Sequence, residues 1–375
     1  MLAGCLLVLV LSSWGAQLDR DFAPNPNPSL RARLQKTIAG HSREVWQVAV
    51  SPDGQYFASG SVDRTVQLRR MPEGEFVHTF TQPEGITSIA FSPDGQYLAS
   101  GSYDESVRVW RVRDGALERT LAGHRGTVWS VAFSADGHRL ASSGEDKTVR
   151  LWRVSDGAAL QTLVGHTLNI WSVAFSPDGH WLATGSFDKT AKLWRGDTGG
   201  LVHTLSGHSE AIVELAFSPD STLLATGSDD SSIKLWRVND GALLNTLTGG
   251  SEHVYSVAFS PDGQWLASGS REKSTMGTLW KQISGDRLSS GRGKTVRLWR
   301  VRDGDLQQAL AEHSGDVHSV AFSPDGRWLA STGDDRVVKL WRLEYLAPLR
   351  PERSGDVPSN GTQRLAPGAG ADAAR

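Results

Sequence analysis

Residues 170–176 read Ile-Trp-Ser-Val-Ala-Phe-Ser, alternating the large Trp171, Val173 and Phe175 with the small Ser172, Ala174 and Ser176. That period of two predicts a strand. Pro-Asp-Gly follows, with proline presetting one backbone angle and glycine accepting a positive φ, so the chain turns tightly. His-Trp-Leu-Ala-Thr-Gly-Ser then predicts a second strand, Phe187-Asp188-Lys189 a second turn, and Thr-Ala-Lys-Leu-Trp a third strand. With the preceding Ala-Leu-Gln-Thr-Leu the unit holds four short strands, each bounded by turn residues. Such spacing predicts an all-β sandwich, barrel or propeller.

The unit recurs. Ser-Pro-Asp-Gly-like turns begin at Ser51, Ser92, Ser134, Ser176, Ser218, Ser260 and Ser323, at intervals of 41, 42, 42, 42, 42 and 63 residues. Seven copies at a near-constant period select the propeller, because one small sheet cannot bury both faces alone and its copies must stack into a ring. The last copy ends after Val-Val-Lys-Leu-Trp at 337–341 without a fourth strand, while an isolated strand at 33–38 precedes the first. The expected fold is therefore all-β, a single seven-bladed β-propeller closed by an N-terminal strand that completes the last blade.

Gly-His, then Ser-Pro-Asp-Gly, then Gly-Ser-x-Asp, then a Leu-Trp ending: over residues ~31–345 this order resembles the WD-repeat β-propeller family, in its bacterial-type form with near-identical copies. The aspartate that usually follows the Trp is mostly Arg here, as at Arg153, Arg195 and Arg237.

Good copies carry Ser or Thr, His and Asp, which invites a hydrolase reading. These are His124, Ser142 and Asp146 with Trp152; His166, Thr184 and Asp188 with Trp194; His208, Thr226 and Asp230 with Trp236; and His313, Ser331 and Asp335 with Trp341. An active site is needed once, so fourfold repetition argues for structure. The resemblance implies a buried hydrogen-bond relay from the indole through Ser/Thr and His to Asp. The first copy has Arg69 in place of Trp, the second Gln82 near the His position, and the sixth Gly250 and Glu272 for His and Asp; these three blades are expected to be weaker.

The resemblance also implies that ligands meet the face carrying the His and Asp turns. Two positions per copy point there. They are Trp46, Thr87, Trp129, Trp171, Val213, Tyr255 and His318, and Val62, Tyr103, Glu145, Phe187, Asp229, Arg271 and Asp334. Six of these fourteen are aromatic, and Trp and Tyr are favoured at contact hot spots. Trp46, Tyr103, Trp129, Trp171, Phe187, Tyr255, Arg271 and His318 are the candidate partner-binding set, although Trp129 and Trp171 could instead fill the space between blades.

Fourteen Trp exceed five Tyr and eleven Phe, and the repeat accounts for twelve of them, Trp14 and Trp280 falling outside it. Lys and Arg total 39 against 41 Asp and Glu, so no dominant electrostatic nucleic-acid binder is expected. One cysteine, Cys5, excludes an intramolecular disulfide framework and a zinc site built on several cysteines. No cofactor or metal is expected. Residues 1–16 hold a 15-residue apolar run, shorter than the ~20 a spanning helix needs, and read as a signal peptide or membrane anchor. The expected location is extracytoplasmic (secreted, periplasmic or membrane-tethered), with cytoplasmic as the alternative. Residues 17–30 read as a Pro/Asn linker, 31–345 as the propeller and 346–375 as a disordered tail. The 21-residue insertion at 274–294 within the sixth copy is basic; it reads either as a functional loop or as a remnant of a further copy.

The leading functional expectation is a monomeric, non-enzymatic scaffold that binds a protein or peptide on the aromatic face. A hydrolase-type enzyme using the central funnel and a carbohydrate- or cell-wall-binding propeller are the alternatives.

Overall fold

In the computed structural model, which describes residues 29–249, 252–271 and 294–346, every repeat forms a four-stranded sheet. The third blade shows the plan: Val128–Phe133, Arg139–Gly144, Thr148–Arg153 and Ala159–Val164 pair in order as an antiparallel meander. Six blades are built this way. In the seventh, Val317–Phe322, Trp328–Gly333 and Val337–Leu346 are joined at the outer edge by Ser29–Ala39. The fold is thus a seven-bladed β-propeller with its N-terminal strand in the last blade. That strand starts at Ser29, inside the stretch whose composition reads as linker, because Leu30 and Ala32 are buried against blades six and seven.

The Ser-Pro-Asp-Gly turn works as the sequence suggests. Ser51 Oγ donates to Asp53 Oδ1 at 2.6 Å and accepts from Tyr56 N at 2.9 Å, while Gly54 takes φ +70°.

The core lies between blades rather than within them. Seven apolar clusters, one per junction, each join one blade's middle strands to the next blade's inner strand; Val149, Leu151 and Leu163 of blade three, for example, meet Ile170, Val173 and Trp194 of blade four. Glycine serves this packing as well as the turns. A Cβ on Gly185 would stand 2.8 Å from Ile212 Cγ2 of the next blade. Ile38, Val48, Phe57, Val338 and Leu340 close the ring between blades seven and one. Gln308 in the outer strand of blade six grips the terminal strand twice, accepting from Ala32 N at 2.8 Å and donating to Ala32 O at 3.1 Å.

The arginines that follow the Trp positions have structural partners. Arg153 and Arg237 each bond an aspartate three residues on, Asp156 and Asp240, at 2.8 Å, and Arg195 lies 4.5 Å from the Trp181 ring centroid.

Residues Leu30–Tyr345 form one unit; of the other, residues 1–29 and 346–375, only Ser29 and Leu346 are described. The expectations for the signal or anchor at 1–16, for residues 17–28, Gly250, Glu272 and most of the insertion, and for the tail from 347, therefore lie outside the described residues. Among the described residues no helix is long and apolar enough to cross a membrane.

Candidate functional site

The Ser/Thr–His–Asp residues come together inside individual blades. In blade four Trp194 Nε1 donates to Thr184 Oγ1 at 3.0 Å, Thr184 Oγ1 lies 2.8 Å from His166 Nε2, and His166 Nδ1 lies 2.9 Å from Asp188 Oδ2. With a neutral imidazole one polarity satisfies every member: indole N–H to hydroxyl oxygen, hydroxyl proton to Nε2, Nδ1–H to carboxylate. The same geometry joins Trp152, Ser142, His124 and Asp146; Trp236, Thr226, His208 and Asp230; and Trp341, Ser331, His313 and Asp335. His41, Ser59 and Asp63 repeat it in blade one without the indole. Burial alone would raise these carboxyls. Hydrogen bonds from the histidine, a neighbouring hydroxyl and a backbone amide outweigh it and hold Asp63, Asp146, Asp188 and Asp230 well below the usual carboxylate range.

The departing blades are rewired. In blade two Gln82 donates to Ser100 Oγ, which also takes the Trp110 indole at 2.9 Å, and Gln82 Oε1 accepts from Arg108 at 3.0 Å. Arg108 continues to Asp104 Oδ2 at 2.7 Å, so the path from Trp to Asp is complete without a histidine. In blade one Arg69 bonds Gly74 O at 3.0 Å and lies over the Phe76 ring. In blade six Trp299 reaches Ser268 Oγ at 2.9 Å, and Arg297 pairs with Glu252 at 2.6 Å.

At the other candidate site the structure shows what strict alternation hides. Each inner strand carries a β-bulge, and the extra residue is Trp46, Thr87, Trp129, Trp171, Val213, Tyr255 or His318. A bulge re-aims its side chain. Trp171 therefore does not share a face with Val173 as the period-two reading implies; it leans over the central channel. His318, Trp46, Trp129 and Trp171 form one column of stacked rings, with successive centroids 5.4, 6.0 and 5.3 Å apart. Tyr255 sets its edge against Trp46, Trp171 and His318, and Tyr103 against Trp46 and Trp129. Phe187, 45% exposed, lies beside Trp171 at 5.8 Å, and Arg271 lies over Tyr255 at 4.9 Å.

All eight residues singled out as the contact set, drawn from six blades, thus fall in one connected cluster across the channel mouth. Trp129 and Trp171, on adjacent blades, stack on each other and belong to none of the seven apolar clusters. Of the six remaining positions, Asp334 holds His318 Nε2 at 2.7 Å and Asp229 lies 3.3 Å from His253. Glu145 accepts from Thr127 N and Val62 N donates to Glu44 O, so these two tie down turns; Thr87 donates from its hydroxyl to Val128 O and joins the inner strands of blades two and three; Val213 is buried.

Sequence reasoning missed the layer beneath. The residue after each bulge is Gln47, Ser88, Ser130, Ser172, Glu214, Ser256 or Ser319. Six of the seven accept a hydrogen bond from a backbone amide of the next blade: Gln47 from Ile89, Ser88 from Val131, Ser130 from Val173, Ser172 from Leu215, Ser256 from Val320 and Ser319 from Val48, at 2.8–3.3 Å. Glu214 instead accepts from Ser172 Oγ of the blade before it, at 3.0 Å. Burial pushes its carboxyl up to about 7 against that hydrogen bond and one from the Leu215 backbone amide. The signal was present in the sequence, as one position holding Ser in five copies and Gln or Glu in two.

Among the described residues no group of three or more His, Cys, Asp or Glu could hold a metal ion. The geometry defines a closed propeller with a repeated internal relay and one aromatic-capped channel. The family description "WD domain, G-beta repeat" matches residues 32–69, 74–111, 115–153, 157–195, 199–237, 241–276 and 304–342, and the chain belongs to that family. It is similar to the nuclear distribution protein PAC1 of Arthroderma otae, 39% identical over 61 residues, which cover 16% of this chain and 13% of that one. It is also similar to the WD repeat and SOCS box-containing protein 1 of Homo sapiens, at 40% over 15% of this chain and 14% of that one. The nuclear distribution protein PAC1 of Coccidioides posadasii matches at 43% over 17% of this chain and 14% of its own length. The chain spans only 13–14% of the length of these relatives.

Proposed function

We propose that this chain is a non-enzymatic interaction scaffold that binds a protein or peptide segment across the aromatic mouth of the propeller. The observation that carries the reading is the convergence of six blades' side chains on one face, where Trp and Tyr supply large contact area at modest entropic cost and Arg271 adds a charge. The hydrolase alternative draws no support from the relay, since its hydroxyls and imidazoles are buried at the same place in blade after blade.

The test is selection of binding segments from a displayed peptide library, with recovery compared between wild type and Trp129→Ala/Trp171→Ala. Recovery should fall by roughly tenfold or more in the double variant, as expected for loss of hot-spot aromatics. Equal recovery rejects the face.

We further propose that the propeller acts as a monomer outside the cytoplasm, released or tethered through residues 1–16. The apolar run supports this. A mature N-terminus near Ala16 or Gln17 is the expected finding after fractionation, and an intact Met1 in the cytosol refutes it.

A further inference from the structure

We propose that the channel mouth receives a protonated amine or guanidinium from the bound segment, with the Glu214 carboxylate as its counter-charge. The inference rests on the reading of the aromatic face given above and names what that face selects. Glu214 is the one ionisable residue in a layer that is otherwise serine and glutamine, and it alone turns away from the next blade's backbone. A cavity of 40 Å³ lies beside it, lined by Trp46, Trp129, Trp171, Tyr255 and His318 above and by Gln47, Ser88 and Ser130 in the same layer. That volume admits a group about the size of a water molecule, room for the N–H end of an ammonium or guanidinium while the rest of the group lies between the rings.

Arg271 lies over the ring of Tyr255, itself part of the cavity wall, but does not line the cavity. Among the described residues no lysine or arginine lines it; the other titratable groups that do are Tyr255 and His318, and His318 is held through Nε2 by Asp334. A buried carboxyl without a cation is costly to ionise, which is what pushes Glu214 upward, and an arriving cation would remove that cost. The indole faces, stacked on one another here, would attract the same charge once the column parts. Trp129 Nε1 and Trp171 Nε1 are buried without hydrogen-bond partners, and carbonyl oxygens of a bound peptide would satisfy them. Entry requires the stacked rings to part. The Trp46–Trp129 centroid spacing is 6.0 Å, wider than the 5.3 Å between Trp129 and Trp171.

The experiment is a tryptophan-fluorescence titration of the full chain with n-butylguanidinium and n-butylammonium chloride, against n-butanol and against sodium and potassium chloride. Wild type should show a saturable change with both organic cations. Glu214→Gln, which keeps an acceptor for Ser172, and Glu214→Ser, the residue of five other blades, should weaken it roughly tenfold or more. Thermal melts of both variants establish that they fold. Absence of a saturable response, an equal response to butanol, saturation by the inorganic ions alone, or unchanged affinity in a folded Glu214→Gln variant each overturns the proposal. The aromatic face is judged separately. If displayed peptides still require Trp129 and Trp171 but are selected equally by Glu214→Gln, the face stands and the cation pocket falls.

Discussion

A single missing hydroxyl distinguishes the relay of blade seven from its siblings. Two residues after the relay aspartate, Thr148, Thr190 and Ser232 each donate to the carboxylate Oδ1 at 2.6–2.8 Å. Blade seven has Val337 there, and Asp335 Oδ1 is buried with no hydrogen-bond partner. Val337→Thr should supply it and raise stability by about 0.5–1.5 kcal/mol, the usual net worth of one hydrogen bond. A higher urea midpoint is the expected readout; an unchanged or lower one removes the explanation. The relay residues were legible because their spacing recurs from copy to copy. The defect at Val337 was not, since a valine opening a strand is unremarkable until the orphaned carboxylate oxygen beside it is seen.

At the scale of the blade, the copies differ in how their polar groups are joined rather than in whether they are. Removing His166 strips both Thr184 Oγ1 and Asp188 Oδ2 of a buried partner, so His166→Ala should cost about 2–4 kcal/mol. Gln82→Ala should cost less, because Arg108 keeps Asp104 and Trp110 keeps Ser100. Thermal melts should therefore rank His166→Ala below Gln82→Ala, and equal shifts count against the relay as the source of stability. The sequence marked blade two as deficient because histidine is absent from it. The substitute runs through Arg108, in a different strand, and no local pattern reveals that connection. The bulges escaped for a similar reason: an extra residue leaves the local pattern looking like a plain alternating strand.

At the scale of the ring, two sets of carboxyls oppose one another across the pH range. Asp63, Asp146, Asp188 and Asp230 are held below their ordinary value of 3.8, so their contribution is present above that value and is lost as pH falls through the folded values. Glu214 is raised from 4.5 to about 7, so its contribution is present below 4.5 and is lost as pH rises through 7. As far as these groups decide it, melting temperature should be highest between 3.8 and 4.5, decline from 4.5 to about 7 and level off above that. In Glu214→Gln the decline assigned to this residue should vanish. Parallel curves for wild type and variant between about pH 4.5 and 7 would assign that loss elsewhere.

By itself the sequence determined the strands, the turns, the count of seven, the closing strand and the side chains of the relay. Each follows from local stereochemistry or from one unit repeated at a constant period, and both are written along the chain. Only the tertiary structure decided what fills the mouth of the channel. Residues as far apart in sequence as Trp46 and His318 meet there because seven bulges point to one axis, and the sole carboxyl of the layer beneath, Glu214, acquires its character from burial at that axis. Convergence around a closed ring depends on the angle between blades. That angle is set by the packing of every junction at once, so no single copy encodes it.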